Sequence, residues 1–412
     1  MNHLFDALSR NGDPDTAFLR MPDGSVMLYR EFWNLTSRAA HFLRQNEVEP
    51  GDRVSVQAEK SPLVLVLYLA TVRAGGIFIP LNTAYTTAEV DYFLGDTRPT
   101  LFVCDPSRLD ELTPIAAANG VRQVETLAAD GSGSVSENLA SMPAEPFETV
   151  ARDEDDIAAI LYTSGTTGRS KGAMLSHGNL LSNAETLREG WRFTRADTLL
   201  HALPVYHAHG LFVAGNVLLL AGGSMLFMPR FDAQIALDFM SEATSMMGVP
   251  TFYTRLLQNP RLDRETTARM RVFISGSAPL LAETHDAWRE RTGHMILERY
   301  GMTETTMITS NPYDGARIPG SVGPTLDGVS VRIVDRKSGD SVPDGEIGIV
   351  EVMGPNVFKG YWNKPEQTAE AFRDDGYFVT GDLGYLDPNG YLFLVGRDKD
   401  LIISGGLNVY PS

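Results

Sequence analysis

The sequence predicts an α/β protein: a large N-terminal region of two helix-covered mixed or parallel sheets, then a smaller antiparallel, barrel-like subdomain. Three observations carry this reading. At 412 residues the chain exceeds what one hydrophobic core usually organises. Up to about residue 320, short apolar runs alternate with helix-length stretches. Beyond that point the runs become short, β-rich and separated by Gly, Pro and Asp, without long helices between them.

Taken in order, residues 53–58 read as a strand, 61–74 as a helix and 77–81 as the next strand. The run 101–104 precedes a helical stretch, and 225–228 precedes a helix over 232–242. Residues 128–155, acidic and rich in Gly, Ser and Pro, read as a surface connection. The later pieces VRIVD, EIGIVEVMG, YFVTGD and GYLFLVG read as strands of the small sheet. The longest apolar run, 63–72, is about half of a membrane span, and 211–228 is broken by Gly215, Asn216 and the Gly222–Gly223 pair. Both read as buried core, and the protein as soluble with no membrane partner.

Thirty-five basic against 52 acidic residues give a net charge of −17, which argues against nucleic acid or anionic membrane as a partner. Cys104 is the single cysteine, so an intramolecular disulfide is excluded. The N-terminus lacks a basic segment leading into an apolar one. Together these features place the protein in the cytoplasm, and they are compatible with a monomer.

The clearest chemical signal is the stretch from Ile160 to Gly172, in which an apolar strand runs into small residues and then Lys171. In Thr163, Ser164, Gly165, Thr166, Thr167 and Gly168, small side chains let backbone N–H groups wrap phosphate oxygens, hydroxyls add donors and Lys171 adds charge. The common P-loop needs Gly-Lys followed by Ser or Thr, whereas Lys171 follows Ser170 and precedes Gly172, so a P-loop motor or GTPase is disfavoured.

YTSGTTGRSKG resembles the signature of the adenylating superfamily of acyl-CoA synthetases, firefly luciferase and nonribosomal peptide adenylation domains. PVYHAHG, SGSAP, YGMTE, the stretch from GEIG to GYW, TGDLG and GRDKDLIISGG match in the family's order, from about residue 30 onward. The resemblance implies ATP and Mg²⁺, with CoA as co-substrate, and residues 1–320 as two α/β subdomains forming the nucleotide and acyl sites. It makes 321–396 the β-rich subdomain and 397–412 a hinge, centred on Lys399, with the start of a C-terminal domain that is otherwise missing. It implies that Tyr300 stacks on adenine, that Gly276, Ser277 and Ala278 border the base, and that Gly301 and Met302 continue the nucleotide site. Thr303 resembles the donor to the α-phosphate, Glu304 the Mg²⁺ ligand, Asp382 the acceptor of the ribose hydroxyls and Arg397 a second ribose contact. The family's adenylating lysine lies in the C-terminal domain, so this chain is expected to bind nucleotide but adenylate slowly.

His207 and His209 sit at i and i+2, which on a strand would share a face, but two ligands without a Cys/His cluster do not make a zinc site. The resemblance instead makes His207 a wall of the acyl pocket. Two arginines specify the acid. Arg299 precedes Tyr300, and Arg255 lies two residues past Tyr253; an unpaired arginine in an apolar pocket calls for an anion. A small dicarboxylate is the natural substrate, and VPTFYTR with ERYGMTET resembles malonyl-CoA synthetases, with Ala208 and Met307 leaving room for methylmalonate. The alternative is that Arg299 pairs with Glu298 or another acid while Arg255 points to solvent. An amino-acid adenylation domain, another acid–thiol ligase and a non-catalytic nucleotide-binding protein are the rival functions.

Overall fold

The computed structural model describes residues 1–163 and 169–400, with the backbone strands Ile402–Ser404 and Leu407–Val409 beyond them. Two large sheets and one small one organise the chain. The six-stranded sheet runs Gln123–Thr126, Leu101–Cys104, Arg53–Gln57, Ile77–Pro80, Ile157–Thr163, Lys171–Ser176 across its width. All of these pair in parallel except the last, which returns as a hairpin from Ile157–Thr163. All four residues of Leu101–Cys104 and of Ile77–Pro80 are buried, as expected of parallel strands covered on both faces.

The helix between the first two of these strands in sequence shows why the segment folds as it does. Pro62 sits at its first turn, where no intrahelical N–H is needed, and Ser61 before it is extended at φ −145°. Nine consecutive residues from Val64 to Val72 are buried, so this helix lies inside the molecule rather than on it. Among the described residues no helix is long and apolar enough to cross a membrane.

In the eight-stranded sheet, Thr198–His201, Ser245–Gly248, Val272–Ser275 and Leu297–Tyr300 lie side by side and parallel. Their carboxyl ends therefore deliver four loops to one edge, beginning at Ala202, Val249, Gly276 and Gly301. That edge is where open α/β sheets bind ligands, because the strands end there and the following loops and helix N-termini converge. The third sheet is antiparallel throughout, in the order Ser330–Val334, Gly348–Met353, Phe378–Leu386, Leu392–Arg397.

Two expectations require correction. Residues 128–155 are more than a surface connection: the helix Ser134–Ser141 buries Val135 and Leu139, and Met142 and Phe147 join the main core. The small polar residues hid four well-placed apolar anchors. The segment carrying His207 and His209 is not a strand but a turn entering a π-helix, His209–Ala214. His207 is exposed and His209 is 5% exposed, so the two imidazoles do not share a face.

Candidate active site

Strand ends and one long-range contact assemble the site. Thr163 and Lys171 pair across the hairpin that carries the phosphate-loop sequence, while Ser164, Gly165, Thr166, Thr167 and Gly168 lie outside the described residues. Chain 358–362 runs beside the Lys171–Ser176 strand, with Trp362 N–H donating to Gly172 O at 2.8 Å and Lys359 N–H to Met174 O at 2.9 Å. This brings Tyr361 against Lys171, whose Nζ lies 4.0 Å from the Tyr361 ring centroid. The Tyr361 hydroxyl donates to Glu304 Oε1 at 2.9 Å, and Phe358 N–H to Glu304 O at 2.8 Å. Sequence reasoning matched the GYW segment but gave Tyr361 no role; its side chain joins the lysine and carboxylate predicted separately.

Burial raises the Glu304 carboxyl above its ordinary pKa, opposed by the Tyr361 hydrogen bond and the Lys171 charge. The loop that carries Glu304 is bracketed by buried amides. Asn356 Nδ2 donates to the carbonyls of Thr305 and Met307 at 2.8 Å each, and Asn183 Nδ2 to Met307 O at 3.0 Å. Thr306 adopts φ 52°, and a Cβ on Gly301 would overlap its carbonyl, so this glycine is fixed by the close approach of the turn. Thr303 is half-buried in the same turn. Among the described residues no group of three or more His, Cys, Asp or Glu could hold a metal. A single buried carboxylate nonetheless fits Mg²⁺, a hard cation that takes oxygen ligands and needs few of them from protein.

Tyr300, Asp382 and Arg397 lie in contact. The Tyr300 hydroxyl donates to Asp382 Oδ2, and Arg397 Nε lies 3.4 Å from Asp382 Oδ1 across a cross-strand pair. Burial raises the Asp382 pKa, while the Tyr300 hydrogen bond and Arg397 lower it. Lys399 is exposed in the turn Asp398–Asp400 just beyond.

The acyl side is built around Arg299, which is 2% exposed. Its Nε and Nη2 have no hydrogen-bond partner among the described residues, and no acid forms an ion pair with it there. Burial pushes its pKa down to about 9, against partial support from Tyr253 and Glu298. Pairing with Glu298 is not formed: consecutive strand residues face opposite ways, and Glu298 Oε1 instead accepts from Leu280 N–H at 3.1 Å. Burial raises Glu298 to a pKa of about 7. Gly276 is the floor beneath Arg299, since a Cβ there would overlap the guanidinium. Next to it, exposed Ser277 at φ 69° places Oγ 3.3 Å from His209 Nδ1. Burial, with Arg299 and the neighbouring histidines, keeps His209 well below the ordinary imidazole pKa.

Arg255 is where expectation and structure part. It is exposed, with its guanidinium 4.9 Å from the Phe231 ring centroid, and the structure does not bring it to Arg299. Tyr253, two residues earlier, faces inward, donating to Ile274 O at 2.7 Å; a step of two residues on a helix turns the side chain to the far side.

Comparison with known proteins identifies the family. A malonate–CoA ligase of Arabidopsis thaliana is 36% identical over 379 residues, covering 86% of this chain and 61% of that protein. The chain thus spans about three fifths of that relative's length. A feruloyl-CoA synthase of an Amycolatopsis species is 34% identical over 402 residues, covering 94% of this chain and 77% of that protein. The crystal structure of ATP-bound MatB from Rhodopseudomonas palustris superposes with a TM-score of 0.97 at 58% identity, over 100% of this chain and 82% of that one. Residues 7–362 match the family described as AMP-binding enzyme, and the chain belongs to that family.

Proposed function

We propose that this protein is an ATP-dependent malonate–CoA ligase, accepting methylmalonate as well, and that it works in the cytoplasm. The observation that carries the choice of acid is Arg299, a buried guanidinium with two nitrogens that lack a partner among the described residues. A guanidinium so placed is stabilised by an arriving carboxylate, which a dicarboxylate supplies while leaving its other end to react. Relatives named malonate–CoA ligases and the 58% identical MatB support the same reading.

On this reading one malonate carboxylate attacks the α-phosphorus of ATP, pyrophosphate leaves, and malonyl-AMP is then cleaved by the thiol of CoA, releasing AMP. Tyr300 would stack on adenine, Asp382 and Arg397 hold the ribose, Thr303 and Lys171 contact phosphate, and His207 wall the acid. Mg²⁺ held by Glu304, when bound, neutralises charge on the departing phosphates. The protein contributes position and electrostatics, not a covalent intermediate. Residues 1–320 would form both sites, 321–396 the β-rich subdomain, and Lys399 the hinge toward a C-terminal domain.

ATP–pyrophosphate exchange with a panel of mono- and dicarboxylates tests the proposal. Malonate should lead, followed by methylmalonate; a preference for butyrate or a bulky aryl acid would sink it. Arg255 should contribute less than Arg299. Leaving Phe231 to reach the acid gives up a surface cation–π contact of about 0.5–1 kcal/mol. Arg255→Met should therefore raise the malonate KM by roughly tenfold or less, since each 1.4 kcal/mol is a factor of ten. A larger loss than that of Arg299→Met would reverse their ranking. Gly276→Ala should displace the guanidinium, destabilising the fold by about 1–3 kcal/mol as overpacking does. Denaturant titration reads that cost, and a malonate KM unchanged in the variant would show that the guanidinium's seat is unimportant.

A further inference from the structure

Lys60 is 6% exposed, lies in the turn before the helix Pro62–Arg73, and forms no ion pair with an acid among the described residues. Its Nζ is 2.7 Å from His201 Nδ1, 2.8 Å from His201 O and 4.3 Å from the Phe227 ring centroid. Its N–H groups thus face two lone pairs and a π face, and burial holds its pKa well below the ordinary lysine value. His201 ends a strand of the eight-stranded sheet, whereas Lys60 follows a strand of the six-stranded one, so one side chain ties the two sheets together.

The other ring nitrogen reaches the acid-binding loop. His201 Nε2 lies 2.8 Å from Gly210 O, inside the π-helix that begins at His209. A carbonyl only accepts, so Nε2 must carry hydrogen. Burial and the Lys60 charge hold the His201 pKa down at about 3, so the ring is neutral and Nδ1 has no proton. Lys60 must then be the donor to Nδ1. Its contact stabilises one tautomer of His201, and the opposite tautomer would set a lone pair against the Gly210 carbonyl at hydrogen-bond distance. The Gly210 α-carbon packs closely on the preceding turn, where an added Cβ would overlap Pro204 O. His209, next in the chain, carries the contact to Ser277 beside Gly276, the floor under Arg299.

We infer that Lys60 is a positioning residue for the acid pocket, fixing His201 as the Nε2–H tautomer that pins the π-helix at Gly210. It acts through His201, and its kinetic consequences rest on the malonate reading above. Nitrogen-15 NMR of histidine-labelled wild-type protein, with His201 assigned by the His201→Gln difference spectrum, should show the Nε2–H tautomer at neutral pH. A dominant Nδ1–H form or an imidazolium would overturn the inference without any kinetic variant. Lys60→Met, which keeps the aliphatic stem, should populate both tautomers and raise the malonate KM about tenfold, the scale of one buried hydrogen bond lost. The ATP dissociation constant should stay within about twofold, because the effect runs through the acid loop. In Lys60→Met, adding His201→Gln should restore the malonate KM, since an amide N–H donates to Gly210 with no tautomer to choose. Equal weakening of malonate and ATP, or no rescue, would make Lys60 a general structural contact and refute the positioning role. Failure of the wild type to activate any dicarboxylate would refute the malonate reading alone, leaving the tautomer measurement to decide this one.

Discussion

Arg299→Met is expected to cut malonate kcat/KM by a factor of hundreds while making the folded protein more stable. Removing one partner of a desolvated charge pair costs on the order of 3–5 kcal/mol in the complex. Without the acid, Arg299 is a buried charge with no acidic partner among the described residues, and the fall of its pKa to about 9 expresses that cost. Because the folded-state pKa is depressed, the penalty is fully present below about pH 9 and fades above it. Methionine, of similar length and apolar, removes the penalty along with the function. The melting temperature should rise, ATP affinity should hold, and butyrate should gain on malonate. A variant that melts lower and loses all acids equally would mean that Arg299 is structural. An unchanged malonate-to-butyrate preference in a folded variant would refute the dicarboxylate assignment and leave family membership untouched.

The second large effect is expected at Glu304. Glu304→Gln keeps the shape and retains an oxygen to accept from the Tyr361 hydroxyl, so the loop between Asn356 and Asn183 should stay in place. The charge is what disappears. Losing a carboxylate that holds the metal should slow adenylation by about a hundredfold or more, within the several kcal/mol that metal charge stabilisation supplies. AMP, which lacks the β- and γ-phosphates, should bind within a fewfold of wild type. Calorimetry of ATP with and without Mg²⁺ should show the Mg²⁺-dependent gain in affinity shrink in the variant, and AMP calorimetry supplies the control. A normal rate with normal Mg²⁺ dependence would remove Glu304 from the metal site.

The parts of the site that could be read from sequence are those in which several functional atoms sit within a few consecutive residues. YGMTE and TGDLG are of this kind: a strand end or tight turn presents neighbouring groups together whatever lies beyond. Cross-strand pairing then joins Asp382 to Arg397, and contact adds Tyr300. The alternation of short apolar runs with helices also sufficed to give the fold class, because burial on both faces of a parallel sheet leaves a local record in composition.

The sequence alone supplied the α/β class and the candidates for the site, Lys171, Arg255, Arg299 and Glu304 among them. Tertiary structure decided their pairing. Tyr361 between Lys171 and Glu304, and Lys60 against His201, join residues far apart in the chain, brought together by a segment laid beside one strand and by contact between two sheets. The same holds for the two arginines. Their apolar surroundings in sequence were alike, yet Arg299 lies buried above a glycine while Arg255 rests on a surface phenylalanine. Strand and helix periods fix which neighbours share a face, but whether that face meets protein or water depends on what the rest of the chain packs against it.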